Sequence, residues 1–128
     1  MAATMPAMAR SPAQTDRIID QSLAAVEGGG AIDRAHLRQM TFGDAALERE
    51  VLGLFDRQAA TMLERLPTAE PQALPALAHA VKGSARGIGA WRVAQAAADV
   101  EGGNSALAPL TDAVAEARTA IAKILRAE

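Results

Sequence analysis

The chain has no cysteine, so disulfides, thiolate catalysis and cysteine-based zinc sites are excluded together. It has no tyrosine either, and its aromatic content is 2%. Strands draw on aromatic and β-branched residues, so this scarcity argues against a β-rich fold. Basic charge is not in excess: 13 Lys and Arg face 15 Asp and Glu, leaving a formal net charge of -2. A surface built for nucleic acid would carry a basic stripe, and none is present. No apolar run approaches the roughly 18 residues of a membrane span. The opening stretch MAATMPAMARSPAQ has one arginine and no sustained apolar segment, unlike a secretory signal. A soluble, cytoplasmic protein is expected, with no nucleic-acid or membrane partner.

What the chain does have is helix-forming material. Its 128 residues suit one ordinary domain, and half of them are hydrophobic. Ala and Leu dominate that half, and both favour helices. Residues 1–30 read as an N-terminal extension: a mobile tail containing Pro6 and Pro12, then a helix over 15–27. Thr15-Asp16 would cap that helix, Ile18, Ile19, Leu23 and Val26 recur at helical spacing, and Gly28-Gly29-Gly30 would end it.

Residues 31–128 read as the domain proper. A short helix is predicted over Ile32 to Met40, with Asp33 near its start, followed by a turn at Thr41-Phe42-Gly43-Asp44. A long amphipathic helix then runs to about Leu66, with Leu47, Val51, Leu54, Phe55, Met62 and Leu66 on one side. Pro67 and Pro71 bracket a loop. The next helix runs from about Glu70 to Gly87, with Pro75 in its first turns, where proline is tolerated. A further helix, about Ala90 to Glu101, stops at Gly102-Gly103. The last, about Ser105 to Ala127, places Leu107, Leu110, Val114, Ala117, Ile121 and Leu125 on one face. The prediction is an all-α fold: an antiparallel four-helix bundle with a short extra N-terminal helix.

The informative segment is Ala78-His79-Ala80-Val81-Lys82-Gly83-Ser84-Ala85-Arg86-Gly87-Ile88-Gly89-Ala90. At about 100° per residue, with His79 at zero, Lys82 falls near ~300°, Gly83 near ~40° and Arg86 near ~340°. Leu74, Leu77, Ala78, Val81, Ala85 and Ile88 fall between roughly 160° and 260°. A lone helical histidine is more often a satisfied core residue, but this one is out of phase with the apolar face. An imidazole with an ordinary pKa near ~6.5 is available as a nucleophile at cellular pH. Lys82 and Arg86, one and two turns along the same face, suit the charge stabilisation that phosphoryl transfer requires. A mid-helix glycine costs about 1 kcal/mol relative to alanine, so Gly83 calls for a reason, and open space for a partner beside the ring supplies one.

His79-Ala80-Val81-Lys82-Gly83-Ser84-Ala85, followed by Gly89-Ala90, resembles the signature of histidine-phosphotransfer domains, His-x-apolar-Lys-Gly-small-small and then Gly-Ala. The layout from Ile32 through Phe42-Gly43-Asp44 to Leu66 is similar to the segment preceding that family's active helix. The resemblance spans about Ala31 to Glu128. It implies a phosphocarrier in bacterial two-component signalling, with no ATP-binding site of its own. His79 would be the phosphorylated residue, through Nε2. Lys82 and Arg86 would stabilise phosphate, and Ala80, Gly83 and Gly87 would give a partner access. Partners would be a sensor or hybrid histidine kinase and a response-regulator receiver domain. Mg2+ would be held by the receiver, with no cofactor on this chain, and a monomer is expected.

Other readings compete. The His face could serve a phosphorylation-independent adaptor that only docks a receiver. The domain could also be the phosphoacceptor module of a larger kinase. His36 lacks a following Lys-Gly pair and reads as structural or solvated. A His36/His79 metal site lacks a third ligand cluster. Lys82-Gly83-Ser84 has the wrong order for a phosphate-binding loop. Trp91 reads as a core or helix-junction residue, and Asp99-Val100-Glu101 as a solvated helix end.

Overall fold

The computed structural model describes residues 30–104 and 106–127. The tail and the helix expected over 15–27 lie outside the described residues. The described chain is all-helical: α1 (Arg34–Met40), α2 (Ala45–Arg65), α3 (Leu74–Ile88), α4 (Trp91–Glu101) and α5 (Ala108–Ala127), with 3-10 turns at Leu66–Thr68 and Pro71–Ala73. No strand occurs among the described residues.

Each early helix starts at an aspartate. Asp33 Oδ1 accepts from the His36 backbone N–H at 3.1 Å, and Asp44 Oδ1 accepts from that of Leu47 at 3.1 Å. Both satisfy N–H groups that a helix start leaves unpaired. Between these caps, Phe42 (φ 58°) and Gly43 (φ 75°) take left-handed conformations and turn the chain from α1 into α2.

The buried stripe of α2 is Glu48, Leu52, Phe55, Ala59 and Met62. The side expected from the sequence is thus partly corrected. Phe55, Met62 and Leu66 are buried, but Leu47 is only half-buried and Leu54 is exposed. Leu47 and Leu54 are seven residues apart and share a flank of the helix rather than its core line. Glu48 occupies that line because Arg34 Nη2 donates to its Oε1 at 3.0 Å, which also ties α1 to α2.

The α3 helix begins later than expected, at Leu74, after the 3-10 turn Pro71–Ala73. In an α-helix starting at Glu70, the Pro75 ring would meet the carbonyl of Pro71, four residues back. Pro75 is accommodated instead in the first turn of α3. The helix ends at Gly89, whose φ of 79° favours glycine. A Cβ there would lie 2.8 Å from the Asp33 carbonyl oxygen, so position 89 has no room for a side chain.

The chain folds back through Gly89-Ala90 into α4, and α3 and α4 make the most extensive helix pairing of the described chain. Small buried residues serve that pairing: Ala78 and Ala85 from α3, Ala94 and Ala97 from α4. In addition, α2 packs on α3 and α5, and α4 packs on α5. The α5 helix buries Leu110, Val114, Ala117 and Ile121 of the face expected from the sequence, while Leu107, just ahead of the helix, and Leu125, in its last turn, are only half-buried.

Candidate functional site

His79 lies in the middle of α3 with its side chain 69% exposed, pointing away from the face that buries Ala78, Ala85 and Ile88. Its Nδ1 is 2.6 Å from Oε2 of Glu101, the last residue of α4. An ionised carboxylate only accepts, so Nδ1 carries the proton in this contact. In the neutral ring Nε2 then holds the free lone pair. Glu101 uses its other oxygen, Oε1, to accept from Lys82 Nζ. One carboxylate therefore bridges the histidine and the lysine. The Lys82 ammonium, and then the His79 ring, hold the Glu101 carboxyl below its ordinary pKa of 4.5.

The other expected residues fall around this bridge. Gly83 is exposed, and a Cβ added there or at Gly87 would meet nothing within 4 Å. The fold does not require glycine at either position. The Arg86 side chain is exposed and has no side-chain partner among the described residues. Ala80 opens onto a groove of about 280 Å³ between α2 and α3, lined by Phe55, Ala59 and Met62 on one side and Leu77 and Val81 on the other. Ser84 and Arg65 also line it.

Beyond Arg86 the helix is anchored by α1. His36 Nε2 donates to the Arg86 carbonyl at 2.8 Å, and the ring lies against Trp91 at a centroid distance of 4.8 Å. Trp91 Nε1 donates to Asp33 Oδ2 at 3.0 Å, and the Asp33 N–H donates to the Gly89 carbonyl at 2.9 Å. His36 and Trp91 are thus junction residues that fix the end of α3.

The α3–α4 hairpin therefore presents an imidazole with one nitrogen held and the other free, beside cations and small residues, on a helix pinned at its end. Residues 50–127 match the family model of the Hpt domain, more than half of the chain. The chain belongs to the Hpt domain family. Comparison with curated proteins and with solved structures gave no match. As an Hpt domain it is a histidine-phosphotransfer module of two-component phosphorelay signalling, a family that works with receiver domains and histidine kinases. The match includes α3, α4 and α5, with His79 and Glu101 inside it. No helix among the described residues of this Hpt chain is long and apolar enough to cross a membrane.

Glu101 is the site residue that sequence reasoning missed. Placed at a solvated helix end, it instead reaches back to His79 and Lys82. A signal was present: in a tight hairpin, residues at similar distances on either side of the elbow face each other. His79 lies ten residues before Gly89 and Glu101 twelve after it, which at about 1.5 Å per residue brings them close to the same height.

Proposed function

We propose that His79 is the phosphoryl-accepting residue of this Hpt domain, and that it acts through Nε2. The observation that carries this is an exposed imidazole whose Nδ1 is occupied by Glu101 while Nε2 is left free. In the forward step, the Nε2 lone pair attacks the phosphorus of a partner's aspartyl phosphate. The N–P bond forms, the acyl O–P bond breaks, and the partner's aspartate leaves as a carboxylate. The reverse step delivers the group to the aspartate of a response-regulator receiver domain. Magnesium for both steps is placed on the receiver.

Lys82 and Arg86 stabilise the phosphoryl group. Arg86 does so directly from its exposed position, and Lys82 by turning from Glu101 Oε1 toward the phosphate. Ala80, Gly83 and Gly87 form the small-residue floor on which the receiver docks, beside the groove between α2 and α3. The pairwise packing of α2, α3, α4 and α5 is read as the antiparallel four-helix bundle. The domain is taken to span residues 31–128, because α1 packs on α2 and α3 and its Asp33 pins the α3–α4 elbow. It is read as a cytoplasmic, monomeric phosphocarrier, without chemistry beyond the relay.

The test is incubation with a phosphorylated receiver or hybrid kinase. Acid-labile label on the wild type and none on His79→Gln supports the proposal. Equal label on both overturns it.

A further inference from the structure

His79 must do two opposite things if it relays phosphate: accept the group as a nucleophile and release it as a leaving group. The two tasks make different demands on Nδ1. In acceptance, a proton on Nδ1 leaves the Nε2 lone pair as the nucleophile, and the product is a positively charged ring with H on Nδ1 and phosphorus on Nε2. In release, that ring departs as neutral imidazole if Nδ1 has kept its proton. If the proton has been lost, the departing group is an imidazolate, a far poorer leaving group. A carrier that loses the Nδ1 proton between partners holds its phosphate but no longer donates it well.

The groups facing the ring decide whether the proton stays. On α3 itself, Lys82 and Arg86 are cations one and two turns beyond the ring, whereas Arg65 of α2 lines the neighbouring groove, of which His79 is not part. Lys82 and Arg86 favour loss of positive charge from a phosphorylated ring. From α4 comes the opposing anion, Glu101, whose Oε2 is 2.6 Å from Nδ1. Its charge acts on the ring at hydrogen-bond range, through a direct contact with Nδ1.

We propose that Glu101 is a positioning residue that keeps the proton on Nδ1 after phosphorylation as well as before it, so that phosphorylated His79 remains a protonated, donor-competent ring. This rests on His79 being the phosphorylated residue. Each oxygen of Glu101 then has its own task. Oε2 holds the ring proton throughout, while Oε1 holds Lys82 only until a phosphoryl group draws the ammonium away. No proton leaves or enters during transfer: the N–P bond forms or breaks at Nε2, and Nδ1–H stays hydrogen-bonded to Oε2.

The experiment loads wild type and Glu101→Gln with phosphoramidate, which phosphorylates imidazoles without any partner protein, and follows the ring nitrogens by 15N NMR during a pH titration. The amide introduced by Glu101→Gln can still accept from Nδ1–H but lacks the charge. The pH midpoint at which the phosphorylated ring loses its Nδ1 proton is expected about one pH unit lower in Glu101→Gln than in wild type. Glu101→Asp, which retains the anion, should recover part of the difference, and Glu116→Gln, altering an exposed pair with Arg92, should give the wild-type midpoint. Equal midpoints in wild type and Glu101→Gln, with phosphate on His79 in both, overturn the role of Glu101 and leave the phosphoacceptor assignment standing. Phosphate on His36 in place of His79 overturns the assignment itself.

Discussion

Trp91 Nε1 donates to Asp33 Oδ2 at 3.0 Å, linking the first residue of α4 to the residue that caps α1. Asp33 is 8% exposed and uses its other oxygen for the His36 N–H. Removing this carboxylate deletes a helix cap and leaves the indole N–H unpaired in a half-buried place. Asp33→Ala is therefore expected to destabilise the fold by about 2 kcal/mol. Urea unfolding followed by circular dichroism measures it, and a change near zero would show that the junction contributes little.

Gly89 and Gly83 should respond to alanine in opposite ways. Gly89 has φ 79° and its Cβ would collide with Asp33, whereas Gly83 is mid-helix and its Cβ would meet open space. Gly89→Ala should cost about 2 kcal/mol or more. Gly83→Ala should stabilise by about 0.5 to 1 kcal/mol. Thermal unfolding of the two variants separates them. A destabilised Gly83→Ala would mean that the fold, and not a partner, demands glycine there.

Because the fold leaves space at Gly83, a large charged residue can be placed there without disturbing the core. Gly83→Glu should keep wild-type helicity and unfolding while reducing phosphoryl transfer at least tenfold, roughly 1.4 kcal/mol in the barrier. Transfer at the wild-type rate would remove the access role assigned to Gly83. Lys82→Ala should slow transfer yet still bind a receiver, and an unchanged rate would reduce Lys82 to a partner of Glu101.

Acid should open the bridge in a defined window. Lys82 and His79 hold the Glu101 carboxyl below its ordinary pKa of 4.5. A carboxylate depressed in the folded state contributes stability that is present above 4.5 and is lost as pH falls through its own lower value. The ring nitrogens of His79 and the side-chain nitrogen of Lys82 should therefore shift together below pH 4.5. Glu101→Gln should abolish that shared step. Independent shifts of the two side chains would show that the carboxylate does not join them.

Local chemistry made most of the fold and much of the site legible in the sequence. Caps, turn residues and apolar phase act over a few residues, so Asp33 near its helix start, the turn Thr41-Phe42-Gly43-Asp44 and the face of His79 could be read directly. Pro75 fixed its own helix start less obviously, because its clash with a carbonyl four residues back converts the preceding turn to 3-10 geometry. Glu101 was harder still. Its partners are 19 and 22 residues away, and only the pairing of α3 with α4 brings them together. Glu48 is similar: a glutamate on a core line looks misplaced until Arg34 is known to reach it.

The most direct measurement is the identity of the phosphorylated atom. Wild-type protein labelled with 15N in its histidines is phosphorylated by a receiver domain or hybrid kinase, and 15N–31P coupling is recorded. Coupling at His79 Nε2, with Nδ1 still protonated, is the expected result. Phosphate at Nδ1 of His79, on His36, or on any residue other than histidine would contradict it.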